Sequence, residues 1–401
     1  MRKDARADRT YLVVGKAEDA EMRHRIACDA RGMFMFIHVP EGGDHVVCPA
    51  TEAVHVREGR AFLGSGVDVL TLEELGLEGF ATSLRDRKAA ELMCYAEACR
   101  RVGVKGVVAV PSGFPAQAAD FLRGRGLGVK IDDPFFSLAR RMKTASERDG
   151  IMRAQRAAEH AFAVVSDAMF RAEAGEGGVL TLDGAVLTCR RLMELADGVF
   201  RDHGCRDGGE STVSRGGRTA EWHAWGDDGA IVEGEPVVIG LRPVDDASGC
   251  GTSLARTLVK GSPSADIARC HALVVKALEH MGTSIRAGVK VRTLRRSAAK
   301  VMLGYDDLSV DDGTADEGGF ALIEDPMHSI GHGVGLEPFE PPFVDALPGA
   351  FEDGDIVALE PGCAHAGDGG VVVSRLIAVG GADCKVLDEC PTGLEPAPLA
   401  R

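Results

Sequence analysis

The sequence predicts a mixed α/β (α+β) protein of two domains, residues 1–140 and 141–401. In the first segment short apolar runs alternate with helical patterns, which is typical of an α/β layer. The second segment carries two pairs of amphipathic helices, each associated with a pair of apolar runs joined by turn residues. The polar stretch Asp132-Asp133-Pro134 marks the boundary between the segments.

The first segment is predicted to contain five strands and two helices. β-branched and aromatic residues indicate the strands, and helix-forming residues indicate the helices. The strands are Tyr11–Val14, Met33–Val39, Ala61–Leu63, Val104–Val110 and Gly128–Ile131, and the helices are Lys88–Arg101 and Ala116–Leu127. No cluster of residues with catalytic chemistry occurs in this segment.

The second segment opens with a helix-start signal. Thr144-x-x-Glu147 has the spacing of a capping box, and apolar residues at intervals of three and four then predict a long amphipathic helix. Three further helices are predicted over Leu182–Arg201, Asp266–Met281 and Val291–Met302. The strands predicted here are Pro236–Leu241, Cys250–Lys260, Asp355–Glu360 and Gly370–Val379.

Composition excludes several classes of partner. The formal net charge is -15, with 61 acidic against 46 basic residues. Because nucleic acids and anionic membranes require a basic face, the sequence predicts no binding to either. No apolar run approaches the ~20 residues that cross a bilayer, no signal peptide is visible, and the eleven cysteines form no Cys-x-x-Cys pair. A soluble cytoplasmic protein with reduced thiols is expected.

The segment 328–342 is the strongest candidate for a functional site. It places His328 and His332 four residues apart among glycines, and Glu340 follows before two prolines. Glycine lets a backbone turn sharply or approach another backbone closely. Imidazoles on such a segment suit proton transfer or metal ligation. The alternative is a loop with two solvent-facing histidines.

Four motifs in order resemble one family. They are Arg141-Met142-Lys143-Thr144-x-x-Glu147, Ala255-Arg256-Thr257, Gly331-His332-Gly333-Val334-Gly335-Leu336 and Val357-Ala358-Leu359-Glu360-Pro361-Gly362. Together they resemble the creatinase / aminopeptidase P / prolidase family over about residues 145–401. The resemblance implies a C-terminal pita-bread catalytic domain, in which two pseudo-symmetric halves cover a curved antiparallel sheet. It also implies a creatinase-like N-terminal α/β domain.

The resemblance also implies where metal ligands would fall. Peptidases of this family hold two metal ions with two Asp, one His and two Glu. The His falls on His332 and one Glu on Glu360, but the remaining positions hold Ser253, Ser374 and either Gly240 or Arg242. Because a dinuclear site needs bridging carboxylates, the sequence predicts no catalytic metal and no cofactor.

The loss of acidic ligands favours the metal-independent, creatinase-like branch. On this hypothesis the chain is a hydrolase or lyase that cleaves a C–N bond of a small, cationic guanidino, amidino or amide compound. The family position of the proton-transfer histidine falls on His223, between Trp222 and Trp225. Either indole is suited to line a pocket for a cation. The alternative is that both indoles fill the core.

The remaining pocket residues are assigned by the same resemblance. His332 and Glu360 join His223 as catalytic residues, while His328 and Glu340 line the pocket and bind substrate. Phe339 stands where the peptidases carry a further histidine. Two alternatives remain open: a metal-dependent X-Pro aminopeptidase or prolidase-type peptidase with a remodelled site, and a non-catalytic binding protein. Relatives commonly form homodimers, so a homodimer acting on a small-molecule substrate is expected.

Overall fold

The chain divides into two compact units, Met1–Arg140 and Arg141–Arg401, in a computed structural model. The structure describes residues 8–58, 60–61, 67–221, 228–303, 320–323 and 329–399. The roles expected for the two predicted domains stay predictions. Within the described residues, no helix is both long and apolar enough to cross a membrane.

The first unit is built on a mixed sheet. Among its described residues, eight strands occur: β1 Tyr11–Lys16, β2 Ile26–Ala27, β3 Met33–Val39, β4 Gly43–Cys48, β5 Arg60–Ala61, β6 Asp68–Thr71, β7 Val107–Val110 and β8 Gly128–Ile131. Six of these described strands form one sheet in the order β6-β4-β3-β1-β7-β8. The helices are α1 Ala20–Arg23, α2 Ala53–Glu58, α3 Leu77–Leu84, α4 Arg87–Arg101, α5 Ala116–Arg123 and α6 Asp133–Arg141.

Both faces of this sheet are covered, which explains the apolar runs in the sequence. Successive side chains of a strand point to opposite faces. Leu12 and Val14 of β1 belong to one apolar core with α4 and α5, whereas Tyr11 and Val13 belong to a second core. Strands buried on two faces read as continuous apolar runs rather than as an alternating pattern.

The described residues of the second unit form four α-helices and five groups of strands. The described helices are α7 Ala145–Arg171, α8 Cys189–Asp202, α9 Ala265–Ser284 and α10 Val291–Leu303. Helix α7 begins with the predicted capping box. The Thr144 hydroxyl accepts from the Glu147 backbone N–H at 3.1 Å, and the Glu147 carboxylate accepts from the Thr144 N–H at 2.8 Å.

The strands of the second unit are all antiparallel to their partners. Those described are β9 Glu173–Ala174, β10 Leu180–Leu182, β11 Ala185–Val186, β12 Cys205–Asp207, β13 Thr212–Arg215, β14 Pro236–Leu241, β15 Pro243–Asp245, β16 Leu254–Val259, β17 Phe320–Ile323, β18 Gly331–Gly333, β19 Ile356–Leu359, β20 Gly362–His365, β21 Gly369–Val372, β22 Arg375–Val379 and β23 Cys384–Val386. The described strands form the sheets β11-β10-β9, β12-β15, β13-β14-β16, β17-β20-β21 and β18-β19-β22-β23.

Each helix pair covers its own strands. Helices α7 and α8 share an apolar core with β13, β14 and β16. Helices α9 and α10 share another with β19, β20, β21 and β22. This repetition of a helix pair on antiparallel strands confirms the mixed fold and the two halves that the sequence predicted.

The two halves join along a seam between β16 and the segment that links β21 to β22. The Thr257 hydroxyl accepts from the Val372 backbone N–H at 2.9 Å and donates to the Val372 carbonyl at 3.0 Å. The Ser374 hydroxyl accepts from the Ala255 N–H at 2.8 Å. Side-chain hydroxyls thus take the place of some backbone hydrogen-bond partners at this seam. They satisfy buried N–H groups, which are costly to leave without a partner.

Several element boundaries differ from the predictions, and two of the differences change the order or number of elements. The helix predicted from Leu182 begins at Cys189, because a short hairpin of β10 and β11 comes first. The single strand predicted over Gly370–Val379 is two strands, β21 and β22, in different sheets. The change of sheet occurs at Ser374, where the chain crosses the seam.

Residues 388–399 pack across the second unit without forming a helix or strand. The fully buried Arg256 donates to the Asp388 carboxylate at 3.0 Å and to the Pro391 carbonyl at 2.7 Å. Ala397 donates its backbone N–H to the Ser166 hydroxyl at 2.8 Å. The segment therefore ties the strand β16 and the helix α7 together.

Candidate functional site

Glu360 lies at the seam, directly after β19. Its side chain is 1% exposed, and its backbone N–H donates to the Ile330 carbonyl at 2.8 Å. Burying an ionised carboxylate is costly unless charges and hydrogen bonds compensate it. The neighbours of Glu360 therefore decide what this position can do.

Three polar side chains surround the Glu360 carboxylate. The Ser253 hydroxyl donates to Oε1 at 2.5 Å. The Arg242 Nη2 and the His332 Nε2 each lie 3.6 Å from Oε2. The site thus combines one carboxylate, one guanidinium, one imidazole and one hydroxyl, contributed by both halves of the unit.

These neighbours keep Glu360 ionised. Burial raises the pKa of the Glu360 carboxyl, but His332, Arg242 and Ser253 together outweigh burial and lower the pKa to about 2. A nearby positive charge and a hydrogen bond to the charged form both favour ionisation. Glu360 therefore carries a negative charge at neutral pH.

His332 is held in place by β18 and by close backbone packing. Strand β18 pairs with β19, with His332 opposite Ala358. A Cβ atom at Gly333 would lie 2.5 Å from the Pro341 carbonyl oxygen, and one at Gly331 would lie 2.6 Å from the Ala358 carbonyl oxygen. The glycines around His332 are thus required for close approach of the backbone rather than for a turn.

The ring of His332 has one engaged and one available nitrogen. Nδ1 lies 2.9 Å from the Gly333 carbonyl, so this nitrogen carries a proton and donates it. Among the described side chains, the buried Nε2 has no hydrogen-bond partner. Phe339 packs edge-on against the ring, with centroids 4.5 Å apart. The available nitrogen therefore faces Glu360.

Arg242 reaches the same point from the end of β14. Its backbone N–H donates to the Ser211 hydroxyl at 2.8 Å, and Nη1 donates to the Glu210 carbonyl at 2.9 Å. Its guanidinium carbon lies 5.6 Å from the centroid of Phe339. Sequence reasoning left Gly240 and Arg242 as alternatives for one ligand position, and the structure directs Arg242 to Glu360.

Glu340 already faces a cation. Its carboxylate accepts from the Lys143 ammonium at 2.5 Å, and both side chains are almost fully buried. It also accepts from the Glu337 backbone N–H at 2.9 Å. Sequence reasoning assigned no role to Lys143, although this residue lies in the motif before α7. The substrate-binding role of Glu340 stays a prediction.

The remaining predicted site residues differ in where they lie. Ser374 engages Ala255 and Arg256 at the seam rather than Glu360. Phe339 is half-buried between His332 and Arg242, and its role in substrate binding also stays a prediction. Four further predicted site residues lie outside the described residues: His223, Trp222, Trp225 and His328.

The sequence pattern of metallopeptidase family M24 matches residues 149–380, which is more than half of the chain. The chain belongs to family M24. Peptidases of such a family hydrolyse peptide C–N bonds, so the prediction of a hydrolase in the prolidase and aminopeptidase P family agrees with M24 membership.

Individual relatives of this M24 chain are named Xaa-Pro dipeptidase. The protein from Pyrococcus furiosus is 25% identical over 173 residues, and the one from Pyrococcus horikoshii is 27% identical over 171 residues. Each match covers 42% of this chain and 44% of the relative. The sequence similarity thus spans less than half the length of these relatives.

Solved structures resemble the M24 chain over almost its whole length. The prolidase from Pyrococcus horikoshii superimposes with a TM-score of 0.72 at 18% identity, covering 98% of this chain and 96% of that chain. The X-Pro aminopeptidase from Thermotoga maritima gives a TM-score of 0.72 at 17% identity, covering 97% and 98%. At these identities the likeness shows the fold.

The comparisons correct the creatinase-like interpretation. The relatives and neighbours are Xaa-Pro dipeptidases, prolidases and X-Pro aminopeptidases, so the metal-independent branch that acts on guanidino compounds is not supported. The doubt about metallopeptidase activity is likewise not supported. The creatinase-like interpretation was wrong because the loss of acidic ligands is a property of this one site. It does not indicate the branch of the family to which the chain belongs.

The described residues do not fit a dinuclear metal centre of the M24 type. Of the positions that the family resemblance assigns to ligands, His332 and Glu360 supply donor atoms. Ser253 donates its proton to Glu360, and a guanidinium has no acceptor atom. In the described part of the chain, a group of three potential metal-binding side chains occurs elsewhere, at Asp266, His365 and Asp368.

Proposed function

We propose that this chain is a peptidase of the prolidase type, which acts on dipeptides or other small peptides through a remodelled catalytic centre. The observation that carries the proposal is membership of metallopeptidase family M24 over residues 149–380; the solved structures that share the fold include a prolidase and an X-Pro aminopeptidase. The names of the sequence relatives point to the same substrate class. The proposal concerns the substrate and the bond that is cleaved.

Two features of the site support a reactive centre. Glu360, which directly follows β19, and His332, in the middle of the neighbouring β18, approach one another at 3.6 Å. Both are buried, and the pKa of the Glu360 carboxyl is lowered; a buried group with a shifted pKa is common at functional sites. Phe339 closes one side of the imidazole and limits access of water to it.

The direct test is hydrolysis of a dipeptide panel by the full chain. Xaa-Pro dipeptides and matched dipeptides without proline are incubated with Mn²⁺, Co²⁺ or Zn²⁺ and, separately, with a chelator. Release of free amino acids is measured by chromatography. We expect cleavage of Xaa-Pro dipeptides. The absence of cleavage under every condition, with the fold intact by circular dichroism, would overturn the proposal.

Variants of Glu360 and His332 test whether the activity arises at the candidate site. Glu360→Gln and His332→Ala are expected to lower kcat/KM about 100-fold or more, which is typical when a group that assists the transition state is lost. His55→Ala is the matched control, because His55 is exposed on α2. Equal activity of all three variants would assign the hydrolysis to a contaminant or to another site.

A second candidate function is a binding protein for small peptides that does not cleave them. The observation that favours it is the set of contacts of Glu360, whose two oxygens already face Ser253, Arg242 and His332. Calorimetric titration with an Xaa-Pro dipeptide separates the candidates. Saturable binding without release of amino acids would support the binding protein.

The expected homodimer and the cytoplasmic location are part of the proposal. Light scattering coupled to size-exclusion chromatography measures the mass directly. A mass near twice the 42.3 kDa of the chain supports the homodimer, and a mass near 42.3 kDa contradicts it.

A further inference from the structure

The charges at the centre of the candidate site balance without any added ion. Glu360 is a buried carboxylate, and Arg242 is a buried cation whose Nη2 lies 3.6 Å from it. Arginine remains protonated in proteins. The pair Glu340 and Lys143, which is also buried, is balanced in the same way at 2.5 Å.

Arg242 occupies a position at which a metal ligand is one of the expected residues. Family resemblance leaves Arg242 as one of the two alternatives for a metal-ligating Asp, and Ser253 takes the position of the other Asp. Both side chains converge on Glu360, which together with His332 would have to ligate an ion. The guanidinium thus lies within 4 Å of the carboxylate that an ion would use.

The guanidinium is fixed there by contacts on several sides. Nη1 donates to the Glu210 carbonyl, the guanidinium carbon lies over the Phe339 ring, and the backbone N–H is anchored on Ser211. Arg242 is 8% exposed. Movement away from Glu360 would therefore break packing and leave a buried carboxylate without a counter-charge.

We propose that the guanidinium of Arg242 is the counter-cation of Glu360 and replaces a divalent metal ion at this position. A divalent ion seated between Glu360 and His332 would lie next to a fixed positive charge, which repels it. The chain therefore folds and remains folded without metal at this site. This inference goes beyond the proposed function, because it concerns the occupant of the site and not the substrate.

The wild-type protein decides the proposal. After incubation with excess Mn²⁺, Co²⁺ or Zn²⁺ and desalting, we expect fewer than roughly 0.1 ions per chain by mass spectrometry. The Tm is expected to change by less than about 1 °C with chelator or with Mn²⁺, since an ion that does not bind the folded state does not stabilise it. One or more ions per chain together with a rise in Tm, both of them retained in the variant His365→Ala, would overturn the proposal.

One variant distinguishes metal binding at another group of residues from metal binding at Glu360 and His332. Asp266, His365 and Asp368 form a group of potential ligands in the described residues. If the wild type retains an ion that His365→Ala loses, the ion belongs to that group and the proposal for Arg242 stands. If His365→Ala retains the ion, the proposal falls.

Restoring donors provides the converse test. The double variant R242D/S253D removes the guanidinium and adds two carboxylates beside His332 and Glu360. We expect it to bind Mn²⁺ and to show a Tm that rises by about 4 °C or more with saturating Mn²⁺. The control R206D/S262D makes the same change of charge at exposed positions, and we expect no Mn²⁺-dependent rise.

The results do not depend on turnover. Metal content and Tm report on the site even if the chain hydrolyses no peptide, so failure of the proposed function leaves this test unaffected. A double variant that does not fold leaves the wild-type measurement decisive. A folded double variant without any response to Mn²⁺ would count against the role of Arg242.

Discussion

Several buried carboxylates in the second unit face a cation. Glu340 faces Lys143, Asp355 faces Arg141 at 2.5 Å, and Asp388 faces Arg256 at 3.0 Å. Removing one member of such a pair leaves an uncompensated charge, whereas replacing both can be neutral. The stability of this unit therefore depends on complete pairs rather than on single charges.

The pair of Lys143 and Glu340 is the most direct test of this dependence. Lys143→Met leaves the Glu340 carboxylate buried without its cation, and we expect a loss of about 3–5 kcal/mol in the free energy of unfolding. Urea denaturation measures this value. The double variant K143M/E340Q is expected to recover most of the loss. A single variant as stable as the wild type would contradict the assignment.

The carboxylate of Asp245 predicts that the stability of the folded protein depends on pH. Burial raises the pKa of the Asp245 carboxyl, but hydrogen bonds from Arg153 and Ser248 outweigh burial and hold the pKa below its usual range. A carboxyl with a lowered pKa contributes stability that is present above its unfolded pKa of about 3.9 and lost as the pH falls through the folded pKa.

We therefore expect Asp245→Asn to be less stable than the wild type by about 2 kcal/mol at pH 7, with a smaller difference at pH 3. Urea denaturation at both values measures the difference. Asp246→Asn is the matched control, because Asp246 pairs with Arg206 at the surface, where such pairs contribute about 0–1 kcal/mol. A difference that grows toward pH 3 would reverse the predicted sign.

Part of the candidate site was predictable from single residues. His332 and Glu360 stood out because the glycine-rich motif and the strand-end motif carry them, and the structure brings them to 3.6 Å. Arg242 and Lys143 acquire their roles through contacts with Glu360 and Glu340, which are distant from them along the chain. No local pattern encodes such contacts.

At the scale of elements, boundaries set by local signals were predictable, whereas boundaries set by distant contacts were not. The hydroxyl and carboxylate of the capping box fixed the start of α7, because they act within four residues. The strands β21 and β22 read as one apolar run, since burial on both sides removes the alternation that would separate them. Their division at Ser374 depends on β16, which is distant in sequence.

The capping box predicts the effect of a single substitution. Thr144→Ala removes the acceptor for the Glu147 N–H, and we expect a loss of about 1 kcal/mol in the free energy of unfolding. Urea denaturation measures it. Thr51→Ala is the control, since Thr51 is exposed and caps no helix by the same pattern. Equal effects of the two substitutions would contradict the role of the cap.

For the whole molecule, the cysteines act as part of the core. All eleven lie among the described residues and none forms a disulfide bond there; Cys384 is partly exposed and the other ten are buried. Burial raises the pKa of several of them, including that of Cys48 to about 12 and that of Cys99 to about 12. Since the thiolate is the reactive form, burial also suppresses reaction with thiol reagents.

A thiol titration tests this description. We expect the native protein to react rapidly at about one thiol, Cys384, and the denatured protein at all eleven without prior reduction. Cys384→Ser is expected to remove the rapid phase. Fewer than eleven thiols in denaturant would indicate disulfide bonds, and several rapid thiols in the native state would contradict the burial.

The packing of residues 388–399 has a consequence for synthesis on the ribosome. Domains generally fold as units, beginning with the N-terminal one. The sheet of the first unit is complete by β8, so this unit can fold while translation continues. Arg256 instead gains its hydrogen-bond partners Asp388 and Pro391 only after more than a hundred further residues have been synthesised. The nascent second unit is therefore exposed to chaperones until almost its entire length has emerged.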